Sequence, residues 1–310
     1  MTMRSPRCSG LVLMLLLTAP LVAGDKHAAP VVLVVASVEV EAHRSAIEGI
    51  RAVVTASSAE VRVLDASQAN GEGSGGQLFA PSVRVIIAVG SEATRVVESE
   101  RPDVPVICAM VMRRRPEPEA KVRRSPVTIP LDVSLHSLLA QLKQLFPGKS
   151  RLGLILNPSW SGINTAQLQA RAQQLGFTLH TVECSEAGQL LAAMASLKNH
   201  VDFVWCLPDG ALYNSTTIKP LILASIENRL PLIGFSESFA KAGAAIGIYP
   251  DFRDVGAQAG EAARQLIEGQ TVHPPEGPRR LKVALNQSVL RLFGLRYARG
   301  SEGAEVSLLP

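Results

Sequence analysis

The sequence is poor in aromatic residues, charged residues and cysteine. Aromatic residues make up 4% of the 310 residues and charged residues 19%, whereas 47% are hydrophobic. So little charge in so hydrophobic a chain is typical of a folded globular protein and excludes an intrinsically disordered one. The four cysteines include no CxxC pair, so neither a zinc knuckle nor a dithiol redox motif is present.

The common nucleotide-binding and hydrolase motifs are missing as well. No GxGxxG follows the first apolar run, and no GxSxG elbow occurs. The Gly-Lys-Ser at 148–150 resembles the end of a phosphate-binding loop, but it precedes an apolar run and lacks the upstream glycine. The six histidines show no metal-ligand spacing, and Glu39, Glu41 and His43 are typical of a solvated first helical turn. Missing motifs do not exclude an enzyme, but they favour a protein without cofactor, metal site or enzymatic activity, which is what we predict.

Residues 1–24 have the three parts of a secretion signal. Arg4 and Arg7 provide a basic start, an apolar run follows at 11–22, and two small residues close it. The apolar run is shorter than the ~20 residues of a membrane span, so we predict a removable signal peptide, with an uncleaved anchor as the alternative. Cys8 precedes the run and is therefore not at a lipid-attachment position. We expect export to the periplasm.

Loss of Arg4 and Arg7 with the signal peptide lowers the formal net charge from +4 to +2. A nearly neutral chain argues against nucleic acid as a partner. Cys108, Cys184 and Cys206 remain, and in an oxidising compartment this odd number allows one disulfide at most. Cys184 and Cys206 follow or end consecutive predicted strands and could pair. The alternative, which we favour, is three buried thiols that act as small hydrophobic residues.

Apolar strands alternate with amphipathic helices along the chain, and the alternation occurs in two series. The predicted strands lie at 30–36, 61–64, 83–89, 104–109, 151–156, 177–182, 202–206, 231–234, 244–249 and 281–285. Strands that alternate with helices of this size form parallel sheets with right-handed crossovers. The sequence therefore predicts an α/β fold of two doubly wound parallel-sheet lobes joined by a hinge.

The polar loops that follow these strands are the candidate site, because ligands bind outside the carboxyl ends of parallel strands. Gly90, Ser91 and Thr94 follow one strand and open a helix, where free backbone amides favour a carboxylate or another anion. A plain helix cap at Ser91 is the alternative interpretation.

In the second series, Asn157, Ser159 and Trp160 occupy the equivalent loop. Trp160 could stack on a ligand or pack against a neighbouring helix. Asp209 or Glu237 could bind a cationic group such as an ammonium, and a solvated loop charge is the alternative for each. The candidate set is completed by Ser37, Asn214, Ser236 and Tyr249. Eleven of the thirteen aromatic residues lie after residue 146, and an aromatic-rich second lobe suits a small organic ligand.

The stretch from 230 to 260 resembles a known protein family. It reads LPLIGFSESFAKAGAAIGIYPDFRDVGAQAG, and it is similar to the ABC-transporter substrate-binding proteins of the type I periplasmic-binding fold, in the tryptophan/tyrosine-type group. The ends of two predicted strands, at 105–109 and 157–158, and the terminus at 285–295 also resemble this family.

The resemblance implies three hinge crossings and a specific division of the chain. Lobe one would comprise 30–125 plus about 250–272, lobe two 126–249 plus about 278–300, and 301–310 would be a C-terminal tail. It also implies capture of a small organic solute, either amino acid-like or another anion, by hinge closure. The partner would be an ABC permease in the inner membrane, and we expect a monomer. A ligand-sensing subunit of a membrane signalling receptor, or an exported enzyme, are the alternative functions.

Two segments depart from the family pattern. Relatives have a short polar element where this chain has Met112-Arg-Arg-Arg-Pro116. At 125–130, Ser-Pro-Val-Thr-Ile-Pro stands in place of the Asn- and Gly-containing hinge sequence of the relatives. The arginines at 113–115 could attract an anion to the cleft or belong to a solvated linker. The departure favours an anionic ligand, and the role of the arginines stays open.

Overall fold

The computed structural model describes residues 29–68, 80–100, 103–112, 126–158, 164–298 and 304–310. The predicted signal peptide at 1–24 and the arginines at 113–115 lie outside these ranges. In the described residues, no helix combines the length and the apolar character needed to cross a lipid bilayer.

A five-stranded parallel sheet forms the first lobe, with strand order β2-β1-β3-β4-β5. Its elements are β1 Val31–Ala36, α1 Glu41–Val54, β2 Glu60–Asp65, β3 Val83–Val89, α2 Ser91–Glu100, β4 Val106–Val111 and β5 Val127–Pro130. All six residues of β1 are buried. Its continuous apolar run is therefore explained by helices on both faces of the sheet.

A seven-stranded sheet forms the second lobe, with strand order β12-β11-β10-β9-β8-β6-β7. Its elements, together with the long helix α8, are α3 Leu135–Leu145, β6 Arg151–Leu156, α4 Thr165–Gln174, β7 Thr178–Glu183, α5 Leu190–Ser196, β8 Phe203–Cys206, α6 Ile218–Asn228, β9 Leu232–Gly234, α7 Glu237–Ala242, β10 Ile246–Pro250, α8 Phe252–Ile267, β11 Leu281–Asn286, α9 Gln287–Leu292 and β12 Ala304–Leu309. The strands are parallel except where β11 runs antiparallel to β10. Two parallel-sheet lobes of this kind confirm the predicted fold class.

Helix α8 returns to the first lobe and packs against α1. A side chain at Gly256 would clash with the backbone of Ala46, and one at Gly49 would clash with the carbonyl of Arg253. The two helix backbones therefore touch, which only glycine allows at these two positions. The buried face of α8, which includes Val255 and three alanines, joins the core of the first sheet.

The chain passes between the two lobes at three described places. These are the segment after β5 (131–134), the junction of β10 with α8 at 250–251, and the connection from α8 to β11 (268–280). In the third connection, Arg279 donates hydrogen bonds to Asp254 at 3.0 Å and Glu261 at 2.9 Å, both on α8. The third crossing is thus attached to the helix that returns to lobe one.

Two predicted domain boundaries differ from the structure. Residues 127–130, assigned to lobe two, form β5 and pair with β4 of the first sheet. Residues 301–310, predicted as a tail, contain β12, which pairs with β11 from Leu281↔Ala304 to Asn286↔Leu309. Both strands are short edge strands whose place depends on a neighbouring strand, so the local pattern of hydrophobic residues does not reveal it.

Candidate functional site

The carboxyl edge of the first sheet brings together the ends of β1 and β3. Ser37, after β1, donates its hydroxyl to a carboxylate oxygen of Glu92 at 3.0 Å. Gly90, after β3, has a φ of 90°, and its carbonyl accepts from the backbone N–H of Thr94 at 3.0 Å. Gly90 rather than Ser91 therefore precedes the first turn of α2, and Ser91 is exposed at that turn.

His43 also belongs to this edge, although the sequence pattern assigned it to a solvated helical turn. Its Nδ1 lies 3.2 Å from the carbonyl oxygen of Ser37 and donates to it, because a carbonyl only accepts. The ring covers Gly90 so closely that a methyl group there would lie 2.6 Å from Cε1 and 2.7 Å from Nε2. The short connection between β1 and α1 could have indicated this position from the sequence, because it keeps the first turn of α1, and with it His43, beside the sheet edge.

Thr94 lies beneath this edge rather than on it. Its side chain is 3% exposed, and Oγ1 has no hydrogen-bond partner in the described part of the chain. A buried hydroxyl without a partner costs free energy. Such groups are rare in native proteins, and strain, function or a bound water explains them.

At the edge of the second sheet, Asp209 follows β8 and is 7% exposed. One carboxylate oxygen, Oδ1, accepts from the backbone N–H of Ala211 at 2.8 Å. The other, Oδ2, is buried without a partner in the described residues. The hydroxyl of Tyr213 is also buried, beside the Cys206 thiol, and burial raises the pKa of Tyr213 well above its ordinary value. The loop therefore contains a buried carboxylate oxygen that lacks a partner among the described residues.

Asn214 and Ser236, predicted as ligand contacts, serve local structure. The Asn214 side chain donates to the Gly210 carbonyl at 3.1 Å and accepts from the Thr216 hydroxyl at 2.6 Å. Ser236 caps α7 by accepting from the backbone N–H of Phe239 at 3.1 Å. Both side chains hold their loops in shape.

The remaining predicted residues are placed as follows. Asn157 is buried directly after β6. Glu237 forms an ion pair with Lys241 at 2.8 Å in the short helix α7. Tyr249 is buried at the end of β10, where burial raises its pKa to about 12. Ser159 and Trp160 lie outside the described residues.

Three aromatic side chains of the second lobe form a cluster that includes Tyr213 of the loop after β8. Tyr213, Phe235 and Phe239 form a cluster with ring-centre distances of 6.1, 6.3 and 5.3 Å. Tyr213 and Phe239 are buried, whereas Phe235 is half-buried directly after β9. Phe235 therefore presents part of an aromatic surface at the carboxyl edge of the sheet.

The three described cysteines are buried and form no disulfide with one another. Cys184 follows β7 and Cys206 ends β8, and these strands lie on opposite sides of β6. Two strand spacings separate them by about 10 Å, beyond the Cα distance of about 4.4–6.8 Å that a disulfide spans. The interpretation as buried thiols is confirmed, and burial raises the pKa of Cys206 to about 12. No group of three or more metal-ligating side chains occurs in the described ranges.

Comparison with known proteins identifies the family. A profile of the ABC transporter substrate binding protein family matches residues 32–298. The chain belongs to this family. The match confirms the predicted resemblance, and it confirms a substrate-binding protein rather than an enzyme.

A curated relative and two solved structures are similar to this substrate-binding protein. A tyrosine-binding protein of Clostridioides difficile (strain R20291) is 23% identical over 185 residues, which are 56% of this chain and 53% of the relative. The match thus spans about half the length of that relative.

Among solved structures, the ligand-free, open structure of a substrate-binding protein with adhesive properties from Clostridium difficile has a TM-score of 0.64 at 14% identity. That alignment covers 91% of this chain and 100% of the other. An ABC domain in complex with L-Trp from Streptococcus pneumonia has a TM-score of 0.53 at 15% identity and covers 90% and 100% of the two chains. At these identities the structures show a shared fold.

Proposed function

We propose that this protein is the solute-binding component of an ABC importer and that it captures a small amino acid-like solute between its two lobes. The observation that carries the proposal is a pair of buried polar atoms that have no partner among the described residues, namely Thr94 Oγ1 beneath the carboxyl edge of the first sheet and Asp209 Oδ2 at that of the second. Such atoms are costly unless a ligand or water satisfies them.

The two edges offer complementary chemistry for a zwitterion. In lobe one, α2 directs its free amino-terminal amides and the exposed Ser91 towards the edge, which favours a carboxylate. In lobe two, Asp209 Oδ2 is an acceptor without a hydrogen-bond partner among the described residues, which favours an ammonium group. Asp209 Oδ2 is covered in this conformation, so contact with a ligand requires the loop at 209–214 to shift.

The half-buried Phe235 provides an apolar surface for the rest of the solute. Relatives named for tyrosine binding or solved with L-Trp support an aromatic amino acid as the solute. Trp160 and Ser159 remain proposed contacts from the sequence pattern.

Closure of the cleft would follow from the hinge. The chain crosses between the lobes at 131–134, 250–251 and 268–280, and a few residues at such crossings absorb domain motion in other binding proteins. A ligand that contacts both lobes stabilises the closed form only through contacts absent from the open form. The exported, monomeric protein would then deliver its solute to a permease in the inner membrane.

A thermal-shift screen tests the proposal. Purified protein without residues 1–24 is mixed with L-tryptophan, L-tyrosine, the other amino acids and a set of organic anions. A solute at 100 times its dissociation constant should stabilise the fold by about 2.7 kcal/mol. If none of these compounds raises the melting temperature, the proposed function is wrong.

Asp209→Asn tests the ammonium contact with little change in shape. We expect it to weaken binding of the stabilising amino acid by about tenfold or more, since a charge-assisted hydrogen bond contributes roughly 1.5–3 kcal/mol. Glu227→Gln, an exposed carboxylate on α6, is the matched control and should bind normally. Equal affinity in both variants would remove Asp209 from the site without affecting the proposal for the protein as a whole.

A further inference from the structure

We infer that His180 and His200 together bind a divalent transition-metal ion on the second lobe, away from the solute cleft. The centres of the two imidazole rings are 6.1 Å apart, with an angle of 41° between the ring planes. Both rings line one open groove of about 330 Å³, together with the polar side chains of Gln169, Thr181 and Ser196.

The separation of the rings fits a shared metal ion. A zinc ion lies about 2.0–2.1 Å from an imidazole nitrogen, so two rings on one ion have centres between about 5 Å apart, for tetrahedral ligands, and about 6.4 Å apart, for ligands on opposite sides of the ion. The observed 6.1 Å therefore corresponds to a wide angle at the ion. His180 is half-buried and His200 is exposed. In the described part of the chain, neither imidazole has a hydrogen-bond or ion-pair partner, so each has nitrogens available to a ligand.

The backbone around the pair holds it in place. His180 is aligned with Gly153 on the neighbouring strand β6. A methyl group at Gly153 would lie 2.9 Å from Leu197 and 3.3 Å from Val201, so the missing side chain lets the end of α5 approach the sheet. His200 lies on this same segment, between Leu197 and Val201, and is thereby brought beside His180.

The turn that carries His200 is also fixed by hydrogen bonds. Asn199 has a φ of 66°, and its carbonyl accepts from the guanidinium of Arg151 at 3.2 Å. The same guanidinium donates to Asp202 at 3.1 Å. A chelating pair on a strand and a fixed turn loses little freedom on binding an ion, and pre-organisation of this kind strengthens binding.

The chemistry of the groove indicates which ions it takes. Imidazole nitrogen suits copper, nickel and zinc, whereas magnesium and calcium prefer oxygen ligands. With two protein ligands, the ion would keep water in its remaining positions, so we expect exchangeable binding. The order of affinity should follow Cu²⁺ above Ni²⁺ and Zn²⁺.

The site is separate from the proposed solute cleft. His200 precedes β8, and β7 is the outermost strand of the seven-stranded sheet. The groove therefore opens on the side of the sheet towards the amino end of β8, while the cleft lies at the carboxyl ends of the strands. Failure of metal binding would consequently leave the proposed function untouched.

Isothermal titration of the full mature chain, without a tag, tests the inference with Cu²⁺, Ni²⁺, Zn²⁺ and Mg²⁺. All samples carry His27→Ala, because a histidine at the third position of a free amino terminus chelates Cu²⁺ by itself. We expect one ion per chain, no binding of Mg²⁺, and affinity reduced about tenfold or more in His180→Ala and in His200→Ala. The control is His136→Ala/His273→Ala, two exposed histidines elsewhere, which should bind like the parent.

Unchanged affinity in His180→Ala/His200→Ala, or loss of binding in the control, overturns the inference. Melting temperatures without metal show whether each variant is folded. If the alanine variants do not fold, NMR of the parent protein decides the matter. Substoichiometric Cu²⁺ should broaden the ring signals of these two histidines before those of His136 and His273, and uniform broadening would contradict a shared site.

Discussion

Substitution of Gly90 by alanine tests the contact between His43 and the end of β3. Gly90 has a φ of 90°, and a methyl group there would lie 2.6 and 2.7 Å from ring atoms of His43. The backbone strain alone costs roughly 1–2 kcal/mol for an L-residue in a left-handed conformation. The ring must also move, which breaks the bond from Nδ1 to Ser37 and costs about 0.5–1.5 kcal/mol more.

Gly148 is the matched control, because its φ is also 90° and no atom lies within 4 Å of a methyl group there. Gly148→Ala therefore measures the backbone strain without the collision. From equilibrium unfolding in urea, we expect Gly90→Ala to lower the free energy of unfolding by about 0.5–1.5 kcal/mol more than Gly148→Ala.

The double variant His43→Ala/Gly90→Ala isolates the contact. Once the ring is gone, Gly90→Ala should cost no more than Gly148→Ala, which corresponds to a coupling of about 0.5–1.5 kcal/mol between the two positions. Equal costs for the two glycine substitutions, or the absence of coupling with His43, would refute the placement of the imidazole over Gly90.

Two further predictions concern ionisable groups. Although burial raises the pKa of Asp202, the bonds from Arg151 and Lys149 lower it below its ordinary value of 3.8. The stabilising contribution of this carboxylate is therefore present above pH 3.8 and is lost as the pH falls through the lower pKa of the folded state. Asp202→Asn should accordingly destabilise the protein more at about pH 6 than at about pH 3 in urea unfolding, and an equal effect at both would contradict this assignment. Because burial raises the pKa of Cys184 and of Cys206, the native thiols should resist iodoacetamide and react in urea. Detection of a disulfide by mass spectrometry would contradict the strand arrangement.

The helices and most strands could be predicted from the sequence, because their signal is local. The apolar run at 31–36 is buried on both faces, and a helix follows it as expected. The spacing of apolar residues decides such elements before any tertiary contact forms. The family resemblance likewise rests on one continuous stretch, 230–260, so it can be recognised without knowledge of the tertiary structure.

The candidate site was predicted less completely. Asp209 and Gly90 lie at the carboxyl edges of their sheets, as the order of strands and loops indicated. The sequence did not show that two other candidates, Asn214 and Ser236, use their side chains to hold local turns. Whether a polar side chain is free or already bonded depends on partners that only the folded loop provides.

Residue order and local periodicity are enough to predict the class of fold, the family and most of the loops that follow the strands. Which lobe takes an edge strand depends instead on pairing with a distant segment, as β5 and β12 show. The tertiary structure also decided that α8 lies on α1 through Gly256, and that His43 covers Gly90. These contacts join residues far apart in the chain, and their energy comes from shape and burial that no single segment contains.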